Sequence, residues 1–353
     1  MNEFTHEILP SRIVFGTGAL GKLPEEVRRL SATRALLLCT PEQQRLAKQV
    51  TDLLGPLAVG IFAGAVMHVP AECVERALGE ARRHRADVCI AVGGGSTIGL
   101  AKAMALVADI RIIAVPTTYA GSEVTPIYGI TTDGLKKTGR DVRVLPRTVI
   151  YDPDLTLTLP AAISVASGMN AMAHAAEGLY ARDRNPVCSL MAEEGLRALA
   201  RSLPVLATNG ADREARASAL YGAWLCGSVL GSVGMALHHK LCHTLGGTFN
   251  LPHAELHTVM LPHAIGYNEV VASDAAARIA SAIGSSRAGA GLQDLARRCG
   301  APLALKDIGM KAEDLPRAAD LACQDPYWNP RAFQRSDVLE LLQRAFDGVP
   351  ITA

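Results

Sequence analysis

Residues 87–108, DVCIAVGGGSTIGLAKAMALVA, decide the fold. VCIAV is short, apolar and rich in β-branched residues, so it reads as a buried strand. Gly93, Gly94, Gly95 and Ser96 then break it, and the apolar run IGLAKAMALVA has the length of a helix. Working outward, ALLLCT (35–40) and RIIAVPTT (111–118) read as two more buried strands. PEQQRLAKQVTDLL (41–54) and AECVERALGEARRH (71–84) between them carry helical periodicity. Strands alternating with helices predict a parallel, doubly wound sheet. Such a sheet binds ligands at the carboxyl ends of its strands.

The glycine turn is therefore the first candidate site. Consecutive glycines let a phosphate approach the backbone of Gly94 and Gly95, and the following helix offers its N-terminal N–H groups. The Ser96 hydroxyl adds a donor. A plain strand-to-helix turn is the competing reading, and the spacing is not the GxGxxG fingerprint. A second polar loop, PTTYAGSE (116–123), also follows a strand; Thr117, Thr118 and Ser122 could bind ribose, phosphate or an amide. Two such loops at successive strand ends point to a pyrophosphate-bearing cofactor. Thr40 and Gln43 follow the strand at which an adenosine ribose is usually held. The run TPEQQ there has no clear carboxylate clamp. NADH is the expected cofactor, with NADPH left open. Lys137, in KKTG, is expected to reach cofactor phosphate or ribose and reads equally well as an exposed lysine.

From about residue 159 the strand signals stop. AAISVASGMNAMAHAAEGLYA, SLMAEEGLRALARSLPVLA and EARASALYGAWLCGSVLG are helix-rich and separated by Pro and Gly breakers. DAAARIASAI, GLQDLARRC and SDVLELLQRAF continue the pattern. Two domains are expected: an α/β domain over 1–157 and an all-α domain over 158–353, with the active site in the cleft between them. The 353 residues suffice for two cores, and 49% hydrophobic with 20% charged residues reads as globular. A net charge of +1 argues against nucleic acid as a partner. No apolar run reaches the roughly eighteen residues of a membrane span, and MNEFTHEILPSRIVFG is no secretory signal. Eight scattered cysteines without a CxxC pair read as free thiols in a reducing cytoplasm.

Six of the ten histidines lie within 238–263: His238, His239, His243, His253, His257 and His263. Imidazole is both the commonest metal ligand and the side chain best placed for proton transfer near neutral pH. From these residues alone a metal site, a proton-transfer site and an anion site all stay open. His238, His239 and Lys240 read as a local positive patch; His257 and His263 read as structural or supporting.

The strings GGGS (93–96), PTTYAGSE (116–123), DPDLTLTLP (152–160), GMNAMAHAAE (168–177) and HTLGGTFNLPHA (243–254) resemble the iron-containing (group III) alcohol dehydrogenases. That family's fold resembles dehydroquinate synthase. The resemblance runs nearly the whole chain. It implies an NAD(P)-binding domain, a helical catalytic domain and a dimer. Metal-dependent members use one Asp and three His, and the corresponding positions are Asn170, His174, His243 and His253. Asn170 is the departure: a neutral amide stands where an anionic ligand would offset a divalent cation. No metal is therefore expected. TPEQQ (40–44), TYAGSE (118–123), KKTGRD (136–141) and HHKLCHTLGG (238–247) are similar to one branch of that family, the maleylacetate reductases. That similarity implies reduction of a C=C bond in a small dicarboxylate. Asn170, His174, His238, Lys240, His243 and His253 are then the expected catalytic and substrate-binding residues. A metal-dependent alcohol or polyol dehydrogenase using Asn170 with three histidines is the alternative. A dehydroquinate-synthase-like lyase would need basic phosphate contacts that the helical half lacks.

Overall fold

In the computed structural model, residues 3–132 and 135–351 are described, without the side chains of Leu135 and Lys136. The chain divides into two compact units. One runs Leu9–Thr158; the other comprises Leu159–Ala353 with the residues up to Ile8.

The first unit is built on a parallel sheet. Its strands are β1 (Arg12–Phe15), β2 (Ala35–Leu38), β3 (Ala58–Phe62), β4 (Val88–Gly93), β5 (Arg111–Pro116) and β8 (Thr148–Tyr151), in the order β1-β8-β5-β4-β2-β3. Every ladder is parallel. An antiparallel pair, β6 (Ile127–Thr132) and β7 (Leu135–Arg140), stands apart from the sheet. Four helices cover the sheet: α1 (Leu23–Arg29), α2 (Gln44–Leu54), α3 (Ala71–Arg83) and α4 (Gly95–Val107). β2, β4 and β8 are buried along their whole length, as expected of strands covered on both faces. Leu37, Ile90, Val92, Ile113 and Ile150 form one cluster with Leu23, Val27, Ala47 and Val50. After β2 the chain moves out to β3 and then returns to the other side of β2 as β4. The strand order thus reverses between β2 and β4, which is where such sheets bind ligands. Asp152, at the end of β8, accepts from the backbone N–H of Gly18 (3.1 Å) and of Leu20 (3.0 Å).

The second unit contains no strand among its described residues. Its helices are α5 (Ala161–Gly178), α6 (Pro186–Thr208), α7 (Arg213–Ser232), α8 (Leu237–Phe249), α9 (His253–Asn268), α10 (Ser273–Ile283), α11 (Ala288–Arg298), α12 (Leu315–Ala322) and α13 (Arg335–Asp347). α5 is buried almost throughout its length from Ser164 and packs on α6, α7 and α9. Its small residues allow that closeness. A Cβ at Gly168 or Gly178 would lie 2.5 Å from Leu203 Cδ2 or 2.2 Å from Val229 Cγ1. The fully buried guanidinium of Arg216 ties α7 to the start of α5 through Leu159 O (2.7 Å) and Ser164 Oγ (2.7 Å), and holds the turn before α7 through Gly210 O (2.8 Å). No single helix is long and apolar enough to cross a membrane; α7 and α8 reach that measure only as a pair bent by 97°. All eight cysteines are free, and all but Cys323 are buried.

Candidate active site

In the first unit, three of the expected cofactor segments converge at the ends of β2, β4 and β5. Gln43, just after β2, donates Nε2–H to Thr117 Oγ1 after β5 at 2.7 Å, spanning the end of β4. Between them the glycine turn is tightly enclosed. Gly93 has φ +155°, and a Cβ there would lie 2.4 Å from Gln43 Oε1 and 2.5 Å from Thr97 Oγ1. A Cβ on Gly94 would lie 2.9 Å from Thr118 Cγ2, whereas Gly95 faces open space. Gly94 precedes the first turn of α4, whose N–H groups are the natural seat for a phosphate. Gln43 Oε1, Thr97 Oγ1 and Ser122 Oγ are buried without a hydrogen-bond partner among the described residues. Orphan polar atoms of this kind require a ligand or water, so the donor set fits a dinucleotide. Lys137 is exposed on β7 opposite Ile130.

Beneath the second loop lies a group that residue patterning does not single out. Lys102 is only 1% exposed, and Nζ donates to Ser122 O, Thr125 O (2.8 Å), Thr125 Oγ1 (2.9 Å) and Ile127 O (2.9 Å). Burial pushes its ammonium down to about 7, opposed by the charge of Glu123. Glu123 is itself buried, accepts from Tyr151 OH at 2.8 Å, and is raised by burial. Lysine in an apolar helix resembles a solvent-facing residue in the sequence, and only packing places it inside.

In the second unit, helical spacing assembles the histidines. Residues i and i+4 share a face. Asn170 and His174 do so on α5 with Glu177 a turn further; His239 and His243 on α8; His253 and His257 on α9. Asn170, His174 and Glu177 are buried. His174 Nδ1 and His239 Nε2 are 2.8 Å apart, and His239 Nδ1 lies 2.7 Å from Glu177 Oε2. Glu177 also accepts from the backbone N–H of Ala236 (2.8 Å), His238 (2.9 Å) and His239 (3.3 Å), and from Tyr180 OH (3.1 Å). Burial alone would raise its carboxyl. The hydrogen bonds from His239 Nδ1 and the Ala236 N–H outweigh burial and hold it at about 2. Glu177 is thus an anion at neutral pH. Its demand for a proton on His239 Nδ1 makes Nε2 of a neutral His239 an acceptor, so His174 donates through Nδ1.

The four positions that correspond to a metal-dependent relative's ligands, Asn170, His174, His243 and His253, are not equally drawn together. His239, not His243, stands against His174. His243 is exposed, with Nδ1 3.1 Å from Tyr327 OH. His253 opens α9, half-buried, with its ring 4.5 Å from that of His257. The positive patch of His238, His239 and Lys240 does not form. His238 is fully buried, and its Nε2 lies 2.9 Å from His257 Nδ1. Burial, more than the neighbouring charges, presses it down to about 3, so it is neutral. Lys240 is half-buried and donates to Gln324 O at 2.6 Å, with Nζ 5.7 Å from the Tyr327 ring. Glu177 and Tyr327 were not singled out in the sequence. The i+7 position of Glu177 relative to Asn170 was a signal that could have found the first; nothing local marks the second.

A divalent metal fits these donors poorly. Asn170 brings an amide, not a carboxylate, and Oδ1 is buried without a partner among the described residues. The one anionic group, Glu177, is spent on the hydrogen bonds above. Among the described residues, the only three His, Cys, Asp or Glu donor atoms within 4.8 Å of one another belong to His238, Cys242 and His257. Their imidazole nitrogens sit at hydrogen-bond distance, closer than the about 3.3 Å edge of a tetrahedron with Zn–N bonds near 2.0–2.1 Å.

Burying so many neutral imidazoles has a consequence for stability. His238 (about 3), His263 (about 4) and His257 (well below the usual value) are all lowered chiefly by burial. A group with a depressed folded pKa contributes stability present above its unfolded value, near 6.5, and lost as pH falls toward the folded value. The melting temperature is expected to fall steeply from pH 6.5 to pH 4, measured by circular dichroism at constant ionic strength. A flat profile across that window would show that these rings are not buried neutral.

The comparisons with known proteins agree with this fold. Residues 10–153 match the iron-containing alcohol dehydrogenase model, and residues 164–346 match the C-terminal model of the Fe-containing alcohol dehydrogenase family. The chain belongs to the iron-containing alcohol dehydrogenase family and is an oxidoreductase. A maleylacetate reductase from Burkholderia cepacia is 58% identical over 349 residues, 99% of each chain. The crystal structure of maleylacetate reductase from Agrobacterium tumefaciens superposes with a TM-score of 0.95 at 54% identity, over 99% of each chain. A structure described as a putative alcohol dehydrogenase from Ralstonia eutropha JMP134 gives 0.98 at 60% identity, again over 99% of each. Within the family, the chain therefore groups with the maleylacetate reductases.

Proposed function

We propose that the protein reduces the carbon–carbon double bond of maleylacetate to 3-oxoadipate with NADH (NADPH remaining open), without a metal, in bacterial degradation of aromatic and chloroaromatic compounds. We further propose that it works in the cytoplasm as a homodimer. The observation that carries the reading is the neutral amide of Asn170 beside the chain Glu177–His239–His174. Where a metal-dependent relative would hold a charged ligand set, this chain has a carboxylate-anchored pair of imidazoles.

The residues suit the chemistry. Bound reduced nicotinamide supplies the hydride, held by Gly94, Gly95, Ser96, Thr117, Thr118 and Ser122, with Thr40 and Gln43 at the adenosine end. Maleylacetate is a conjugated enone. Hydride adds at the carbon β to the ketone, the π electrons pass to the carbonyl oxygen, and the enolate takes a proton at the α carbon. Because the charge is delocalised, hydrogen-bond donors can replace a Lewis acid. A proton taken up at His174 Nε2 passes to the α carbon, while His174 Nδ1–H stays donated to His239 Nε2 and Glu177 holds the proton on His239 Nδ1. His243, exposed and bonded to Tyr327, is the second candidate donor.

The test is NADH oxidation after exhaustive chelation, followed with maleylacetate and with simple aldehydes. Full rates on maleylacetate and none on aldehydes are expected. Activity that vanishes on chelation and returns with iron or zinc would overturn the metal-free reading in favour of a metal-dependent alcohol dehydrogenase. An Asn170→Asp variant is expected to gain affinity for zinc, measured by calorimetry.

A further inference from the structure

We infer that Lys102 is the positioning residue for the nicotinamide end of the cofactor, acting by holding the loop from Thr117 to Ile127 against α4; the inference rests on the nucleotide reading above. The sheet order explains which end is concerned. β2, β4 and β5 lie side by side, with Thr40 and Gln43 after the first, the glycine turn after the second and the Thr117–Ser122 loop after the third. With adenosine at β2 and pyrophosphate at the start of α4, the remaining half of a dinucleotide falls to the loop after β5. That loop carries Ser122 Oγ, buried and without a partner among the described residues.

Lys102 cannot serve as a phosphate ligand. It lies seven residues into α4 from Gly95, about 10 Å along the helix from the turn. Its three protons face four acceptors: the carbonyls of Ser122, Thr125 and Ile127 and the Thr125 hydroxyl. Thr125 Oγ1 in turn donates to Ser122 O at 3.0 Å. Carbonyl oxygens converging on one buried ammonium stay together only while that charge is present. The helix whose N-terminus seats the phosphates therefore also carries the cation that shapes the second loop. Fixing the Ser122 carbonyl fixes the peptide that bears its orphan hydroxyl.

Titration of the full-length protein with NADH and with ADP separates the two ends. Wild-type protein must bind both; failure to bind NADH refutes the nucleotide reading, and this inference with it, before any variant is compared. Lys102→Met is expected to weaken NADH about 30-fold or more and ADP less than about threefold. Thr125→Val removes one acceptor and retains the shape, and is expected to weaken NADH about three- to tenfold with ADP unchanged. Equal losses for both ligands in Lys102→Met, as for a phosphate ligand or a damaged domain, overturn the inference. So does NADH affinity that is unchanged in either variant. If Lys102→Met does not fold, Thr125→Val decides.

Discussion

Glu177→Gln is expected to lower kcat on maleylacetate by about 100-fold or more and to destabilise the fold by roughly 3–5 kcal/mol. The carboxylate is fully buried and receives hydrogen bonds from three backbone amides, Tyr180 and His239. Glutamine keeps the volume and loses the charge, and its NH2 presents protons to groups that are themselves donors. One effect is on the fold, since buried donors lose their acceptor. The other is on the relay. Without an anion at Nδ1, the tautomer of His239 is no longer set, and its Nε2 is no longer held as the acceptor for His174. Urea unfolding measures the first effect and steady-state kinetics the second. Glu177→Asp, which retains the charge, should recover part of both. A folded Glu177→Gln protein with kcat within about threefold of wild type would remove the relay from the mechanism.

Gly93→Ala is expected to cost about 2–4 kcal/mol and to weaken NADH binding about 100-fold. The residue combines two constraints that alanine cannot meet. Its φ of +155° is disfavoured for any L side chain, and the added methyl would lie 2.4 Å from Gln43 Oε1 and 2.5 Å from Thr97 Oγ1. Relief requires movement of Gln43, which would break its bond to Thr117 and open the bridge across the end of β4. Gly95→Ala is the matched comparison. It meets nothing within 4 Å and lies in the first turn of α4, so unfolding midpoints should be nearly unchanged. If the two variants behave alike, the enclosed glycine turn is not what orders these loops.

The fold was legible wherever it rests on local pattern. The strands expected at 35–40, 87–95 and 111–118 are β2, β4 and β5, each ending within two residues of its expected limit, and α2 and α3 fall where periodicity puts them. β1 and β8 left weaker traces. Each is four residues long, and they pair with each other across more than 130 residues of chain. Nothing in RIVF or TVIY announces a partner so distant, because the pairing is a property of the sheet. The helical character of the second half was clear from its breakers and apolar stripes.

The site divides along the same line. By itself the sequence determined which groups share a face: Asn170 with His174, His239 with His243, His253 with His257, all through the 3.6-residue repeat. It also determined the neutral amide at 170 and the glycines at 93–95, since these are matters of residue type. Only the tertiary structure decided which imidazole meets which. Packing of α5, α8 and α9 brings His239 rather than His243 to His174 and withdraws His238 from solvent. It also supplies Glu177 as the anion that sets the tautomers, and it turns Lys102 inward to gather a loop twenty residues away. These choices belong to the packing because burial and hydrogen-bond satisfaction are settled between elements distant in sequence, where helical periodicity carries no information.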